Sequence, residues 1–378
     1  MKLDFLKKLA VKLERRNNAV FSYPVEMQKK YLLGFKTPQN DFERAYDQYC
    51  CQMKLNGKIT IFLLNLVSLP LLIYFYFKKN SSGEKIKHYD AVFFSEGISE
   101  RVIPNSLKEE FSNWFIVKKH GELFSQKDKQ YFRKLVKLYP ISWHFLLKCL
   151  LKIRFYSYEC AMHTPQAIVV CGEYSFTSSV LTDYCKNKGV SHINVMHGEK
   201  LYYIRDSFFR FDRCYVWDEY YAELFKELRV DKNQFLIEVP PSLKFGADIK
   251  RKQQYNYTYY LGSEDENTLK IIADTLEKLK RKGNSIVIRP HPRYSNMKQI
   301  IEIFKFAEIE NLEKISIEDS LMRTGCAISV YSTVLNQALY NSVPIVIDNI
   351  SNLGNYEKLR ELRYVCLEKD HQLLSEII

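Results

Sequence analysis

From about residue 88 the chain alternates short apolar runs with stretches whose apolar positions recur at helical spacing. Asp90–Phe94 (DAVFF) reads as a strand, and Ala167–Cys171 (AIVVC) as a buried one. A helix follows through Asp183, and Gly189 suits its stop. Ser191–Met196 is the next strand, then Arg213–Val216, a helix over Glu219–Leu228, and a strand over Gln234–Val239. After a polar stretch with two prolines and a glycine, Pro240–Gln253, the alternation resumes. Tyr257–Leu261 is a strand and Glu264–Lys282 a long amphipathic helix closed by Gly283. Strands over Ser285–Arg289, Ala327–Val330 and Val343–Ile347 follow, with a helix to Tyr340 between the last two.

Strands separated by helices predict parallel sheets covered on both faces. The expectation is α/β: two Rossmann-like doubly wound domains, over 88–245 and 254–378, with a cleft between them and a linker over 240–253. No internal repeat is evident.

The first 87 residues break this pattern and predict a helical, basic N-terminal region. Residues 1–20 read as an amphipathic helix with Leu3, Leu6, Leu9 and Leu13 near one face. They hold no apolar run long enough for a signal peptide. Ile59–Phe77 is uncharged over 19 residues, with Lys54 and Lys58 before it and Lys78 and Lys79 after it. It is long enough to span a bilayer, to lie in the interface as a helix kinked at Pro70, or to be a buried helix of a soluble fold. All three place the bulk of the chain in the cytoplasm.

Composition narrows the classes. With 378 residues, 46% apolar and 26% charged, two domains are expected and a disordered chain is excluded. The net charge of +12 favours anionic partners. Residues 1–90 hold 16 Lys and Arg against 8 Asp and Glu, so they carry +8 of it. Nine scattered cysteines without a CxxC fit a reducing compartment.

In open parallel sheets ligands bind beyond the carboxyl ends of the strands. In the second domain those ends carry Gly262-Ser263, Arg289-Pro290-His291-Pro292-Arg293 and Ser332-Thr333. Ser332 and Thr333 open a helix, where hydroxyls and free N–H groups suit an anion. An ordinary N-cap would use the same residues. Two prolines stiffen the turn around His291, and Arg289 and Arg293 flank it with phosphate-matched guanidinium groups. Gly262 would let a phosphate approach the backbone. In the first domain the strand ends carry Glu96-Gly97, Cys171-Gly172-Glu173 and His197-Gly198. Arg205, Arg210 and Arg213, interleaved with Tyr202, Tyr203, Phe208 and Phe209, could read an acidic sugar or simply pack a solvated loop. GxGxxG, Walker A, DxD and HExxH are all missing, so neither a metal site nor a cofactor is expected. No RNA-binding motif is present, and no nucleic-acid partner is expected.

His291-Pro292 and Ser332-Thr333 resemble the HP and SS/ST motifs of GT-B glycosyltransferases of bacterial surface-polysaccharide synthesis, the sialyltransferase and Kdo-transferase families. That resemblance spans roughly residues 88–350. It implies that His291 contacts the donor phosphate and acts as general acid, that the hydroxyls bind the same phosphate, and that inversion occurs without a metal. The implied donor is a nucleotide-sugar, CMP-linked. The acceptor would be a glycan or lipid-linked glycan of capsule or lipopolysaccharide, reached from the anionic inner face of the cell membrane by a peripheral or monotopic enzyme. Those families also use a carboxylate base in an acidic-Gly motif. Glu96-Gly97 is nearest in letters and Glu173 better placed. His197-Gly198, followed by Lys200-Leu201, resembles instead the HG segment of teichoic-acid CDP-polyol phosphotransferases, where the histidine is the base. Glu173, His197 and Glu96 therefore all stand as candidates. A CDP-polyol phosphotransferase is the nearest alternative, and a non-catalytic membrane-tethered glycan-binding protein is the alternative of another class.

Overall fold

The computed structural model describes residues 23–81, 85–95, 97–118, 121–246 and 252–378. The amphipathic helix expected over 1–20, Glu96 and part of the expected linker lie outside the described residues. The chain divides into two units. Unit 1 comprises the described residues up to His197 with Tyr202–Glu238, and unit 2 comprises Gly198–Leu201 with Val239–Ile378.

Unit 1 opens with three helices, α1 (Val25–Leu33), α2 (Asp41–Asn56) and α3 (Lys58–Phe77). The Asn40 side chain caps α2 by accepting from the N–H groups of Phe42 and Glu43. There follow β1 (Ala91–Phe93), α4 (Asn105–Glu110), β2 (Trp114–Ile116), α5 (Gln126–Leu138), α6 (Trp143–His163), β3 (Ala167–Val170), α7 (Ser178–Lys186), β4 (Ser191–Val195), β5 (Arg213–Val216), α8 (Glu219–Glu227) and β6 (Phe235–Ile237). The six strands pair in parallel in the order β2-β1-β3-β4-β5-β6. Central strands buried on both faces explain the unbroken apolar runs. Phe93, Val169, Ile193 and Val195 join one core cluster. Gly189 stands at φ +72 beyond α7, a left-handed backbone that any side chain would strain.

Unit 2 runs through β7 (Tyr255–Tyr260), α9 (Glu266–Arg281), β8 (Ile286–Arg289), α10 (Met297–Ile303), β9 (Glu308–Ile309), α11 (Ile317–Arg323), β10 (Thr324–Ser329), α12 (Thr333–Tyr340), β11 (Ile345–Ile347), α13 (Leu353–Glu361), β12 (Gln372–Leu373) and α14 (Leu374–Ile377). Its parallel sheet has the order β12-β11-β10-β7-β8-β9. Ile272, Leu276 and Leu279 of α9 pack on Ile288 and Ile328 of the sheet. Two parallel six-stranded sheets with flanking helices make two Rossmann-like doubly wound units.

The described N-terminal helices pack on unit 1, α2 on α7 and α3 on α6. The uniformly apolar α3 turns out to have two faces. Leu64, Val67, Ser68, Leu71 and Phe75 are buried, while Ile59, Phe62, Leu63, Leu66, Ile73, Tyr74 and Phe77 are exposed. Both sets recur at the spacing of helical turns. The guanidinium of Arg154 on α6, wholly buried, donates to the carbonyls of Phe75, Lys78 and Lys79 and pairs with Glu122 at 3.0 Å. It thereby satisfies carbonyls that the end of α3 leaves open. Asn65 adds a second tie, accepting from the His144 N–H at 3.1 Å. Among the described residues, α3 is the one helix long and apolar enough to cross a membrane.

Candidate functional site

Unit 2 places its candidates at a topological switch point. From β7 the chain moves to β8 on one side of the sheet and later to β10 on the other, so the carboxyl ends of β7 and β10 flank a crevice. A pocket of about 450 Å³ opens there. Its lining includes Gly262, Ser263, Pro292, His291, Ser332 and Thr333. Three turns that are distant in sequence are therefore brought together.

The His291 ring is held on two sides: its Nδ1 accepts the Arg293 N–H at 3.0 Å, and Tyr294 stacks on it at 4.5 Å between centroids. The backbone N–H of His291 donates to Ser295 Oγ at 2.7 Å and fixes the turn. With Nδ1 accepting, the neutral ring carries its proton on Nε2. Partial burial, then the charge of Arg293, pushes the pKa of His291 down from the usual histidine value. The ring is thus fitted to donate a hydrogen bond through Nε2–H rather than to hold a full positive charge. Ser332 is the N-cap of α12, its Oγ accepting from the Val334 N–H at 3.2 Å. Thr333, the first residue of the helix, is exposed.

Other expected donor contacts are already committed. Arg289 lines the pocket, but its guanidinium pairs with buried Glu310 at 2.6 Å and donates to the Ile315 carbonyl. It braces the turn instead of offering a free fork. The Gly262 N–H donates to both carboxylate oxygens of Glu264, at 2.9 and 2.8 Å. Burial raises the pKa of Glu264, against those backbone hydrogen bonds. A carboxylate thus already occupies the backbone donor expected to meet a phosphate. Arg293 is exposed and contributes its backbone to His291. Tyr294, Ser295 and Glu264 were missed in the sequence because their roles are contacts to neighbours two to four residues away.

In unit 1, Glu173 and His197 come from the ends of β3 and β4. Glu173 Oε1 lies 3.8 Å from His197 Nδ1. Glu173 is fully buried, whereas the His197 side chain keeps 24% of its exposure. The Glu173 carboxylate does not reach solvent. Its loop is braced by α2: Gln48 donates to the Glu173 carbonyl at 3.0 Å and Gln52 to that of Tyr174 at 2.7 Å.

The arginine-aromatic stretch is structural. Tyr202, Tyr203, Phe208 and Phe209 are core residues. Arg205 pairs with Asp206 at 2.8 Å, Arg210 with Asp41 at 3.3 Å and Arg213 with Glu110 at 2.6 Å. Each guanidinium has its own carboxylate.

No family model and no curated protein matches the chain. Solved structures match it at low identity. A UDP-GlcNAc 2-epimerase from Neisseria meningitidis bound to UDP-GlcNAc is 11% identical, over 71% of this chain and 84% of that one, with a TM-score of 0.41. A variant of the wall teichoic acid polymerase TagF is 13% identical, over 83% and 79%, with a TM-score of 0.38. A glycosyltransferase from Rickettsia africae is 9% identical, over 70% and 80%, with a TM-score of 0.35. The reading of the site rests on its own residues.

Proposed function

We propose that the chain is a glycosyltransferase. Unit 2 holds a nucleotide-sugar by its leaving phosphate, and unit 1 holds a glycan acceptor. The observation that carries this reading is the convergence of His291, Ser332 and Thr333 on one pocket at the switch point of unit 2. As the bond from the anomeric carbon to the nucleotide phosphate breaks, charge grows on the phosphate oxygens. Nε2–H of His291, the two hydroxyls and the first turn of α12 are fixed donors for that charge. The acceptor hydroxyl gives its proton to His197, which Glu173 orients, and attacks the anomeric carbon with inversion. The HP and SS/ST resemblance favours a CMP-linked donor of the sialic acid or Kdo type.

The test is thermal stabilisation by CMP, CDP, UDP and GDP, since a ligand bound to the folded state alone raises Tm. CMP should raise it most, and the His291→Ala variant should lose that rise. Preference for UDP or GDP would move the donor, and no response to any nucleotide would sink the reading. The Glu173–His197 pair also suits a CDP-polyol phosphotransferase, in which the same base activates a hydroxyl for attack on phosphorus. Product analysis separates the two, because only that reaction leaves phosphorus in the polymer.

The acceptor side belongs, on this proposal, at an anionic bilayer surface. The exposed stripe of α3 supplies seven large apolar side chains, with Lys54, Lys58 and Lys79 exposed at its ends. Binding to vesicles with and without phosphatidylserine checks it.

A further inference from the structure

The crevice of unit 1 contains a second pocket, with apolar walls and a few polar groups, that the reading above does not use. From β1 the chain passes to β2 on one side and later to β3 on the other, so the carboxyl ends of β1 and β3 flank this unit's switch point. A pocket of about 140 Å³ lies there, with Lys152, Tyr156, Gly172, Ser175, Ser178 and His192 in its lining. Three observations give it a sign. Ser178 begins α7, so the positive end of a nine-residue helix stands at the wall. The Ser178 residue is 2% exposed, and its Oγ is buried with no hydrogen-bond partner in the protein. A buried hydroxyl left in that state is costly, and a ligand oxygen would satisfy it. Lys152, from α6, supplies the charge. His192 adds none: Tyr156 OH bonds its Nε2 at 2.9 Å and Thr182 Oγ1 its Nδ1 at 2.8 Å, and burial pushes its pKa down to about 3.

We infer that this pocket is an anion subsite for one phosphoryl group, held by Lys152, the Ser178 hydroxyl and the first turn of α7. The volume accommodates one such group. As the place for a phosphorylated acceptor the subsite rests on the transferase reading; as an anion site it does not.

The test is calorimetric titration of the full chain with inorganic phosphate and with glycerol 3-phosphate. A His291→Ala, Ser332→Ala background keeps unit 2 from competing. Both probes should bind, the ester more tightly. Lys152→Met should weaken phosphate about tenfold or more, and Ser178→Ala about threefold. Ser178→Ala loses no protein hydrogen bond, so it should fold with an unchanged Tm in phosphate-free buffer and keeps the test valid if Lys152→Met does not fold. Phosphate affinity unchanged in both variants overturns the inference. In the chain with an intact unit 2, nucleotide binding with phosphate indifferent to these variants defeats the subsite alone. Phosphate binding that the variants abolish, with no response to any nucleotide, defeats the transferase reading alone.

Discussion

Both units are parallel doubly wound sheets, ordered 2-1-3-4-5-6 in unit 1 and 3-2-1-4-5-6 in unit 2 when strands are counted within each, and they differ in what their switch points offer. Each sheet begins with a central strand, steps to one side, then crosses to the other, so each has a crevice at the same place. In unit 2 the crevice is wide, and its floor is built from turns: a proline-stiffened histidine, a helix cap and a glycine already held by Glu264. In unit 1 it is narrow, walled by α6 and α7, with an imidazole-carboxylate pair on the neighbouring strand ends. Strand order fixes where a ligand can sit. Side chains at a few turns then decide whether the place suits a leaving phosphate or an acceptor and its base.

The sharpest way to break this division is His197→Ala, which should lower turnover about 10²–10⁴-fold with donor binding unchanged. Glu173→Gln should cost less, since it removes the orienting charge and keeps the base. Steady-state kinetics in both substrates would read this, and a loss of donor affinity would contradict the assignment of roles. His291→Ala comes next, with an expected drop of about 10²–10³-fold, the size seen when one donor to a developing oxyanion is removed. Its fold should survive, because the side chain is only partly buried.

Within unit 1 the faces of α3 give the next contrast. Leu64→Ala, on the face against α6, should destabilise by about 2–5 kcal/mol in denaturant titration. Phe62→Ser on the exposed face should leave stability within about 0.5 kcal/mol and weaken vesicle binding instead. A large stability loss there would mean that the stripe serves the fold.

A further contrast is in acid, where His192 sets unit 1 apart. Its folded pKa is lowered from 6.5 to about 3, so the unfolded chain binds a proton that the native state refuses. Its stabilising contribution is complete above 6.5 and is lost as pH falls through that window, by about 1.4 kcal/mol per pH unit. His192→Gln should flatten this limb of a Tm-against-pH curve.

Much of the fold was legible in the chain. DAVFF, AIVVC and SIVIR are strands because runs of that length buried on both faces need no polar alternation. Trp114–Ile116, α5 and α6 were not read: the edge strand is too short and α6 too evenly apolar to show a period, whereas the apolar stripe of α5 (Tyr131, Phe132, Leu135) was legible and passed over. Of the unit 2 pocket, Gly262, Ser263, Arg289, His291, Pro292, Ser332 and Thr333 were named from strand ends alone. Arg289 and Gly262 were given roles in ligand binding that internal partners hold. Nothing in the sequence marks Glu310 as the carboxylate facing Arg289, or Lys152 and Ser178 as neighbours.

Periodicity and the letters at strand ends determined two doubly wound units and put the histidines at their rims, because both are local properties of the chain. Which guanidinium is free, which carboxylate is sealed and which face of α3 meets solvent were decided only in three dimensions. Each of those depends on a partner brought close by packing, and no spacing along the chain records it.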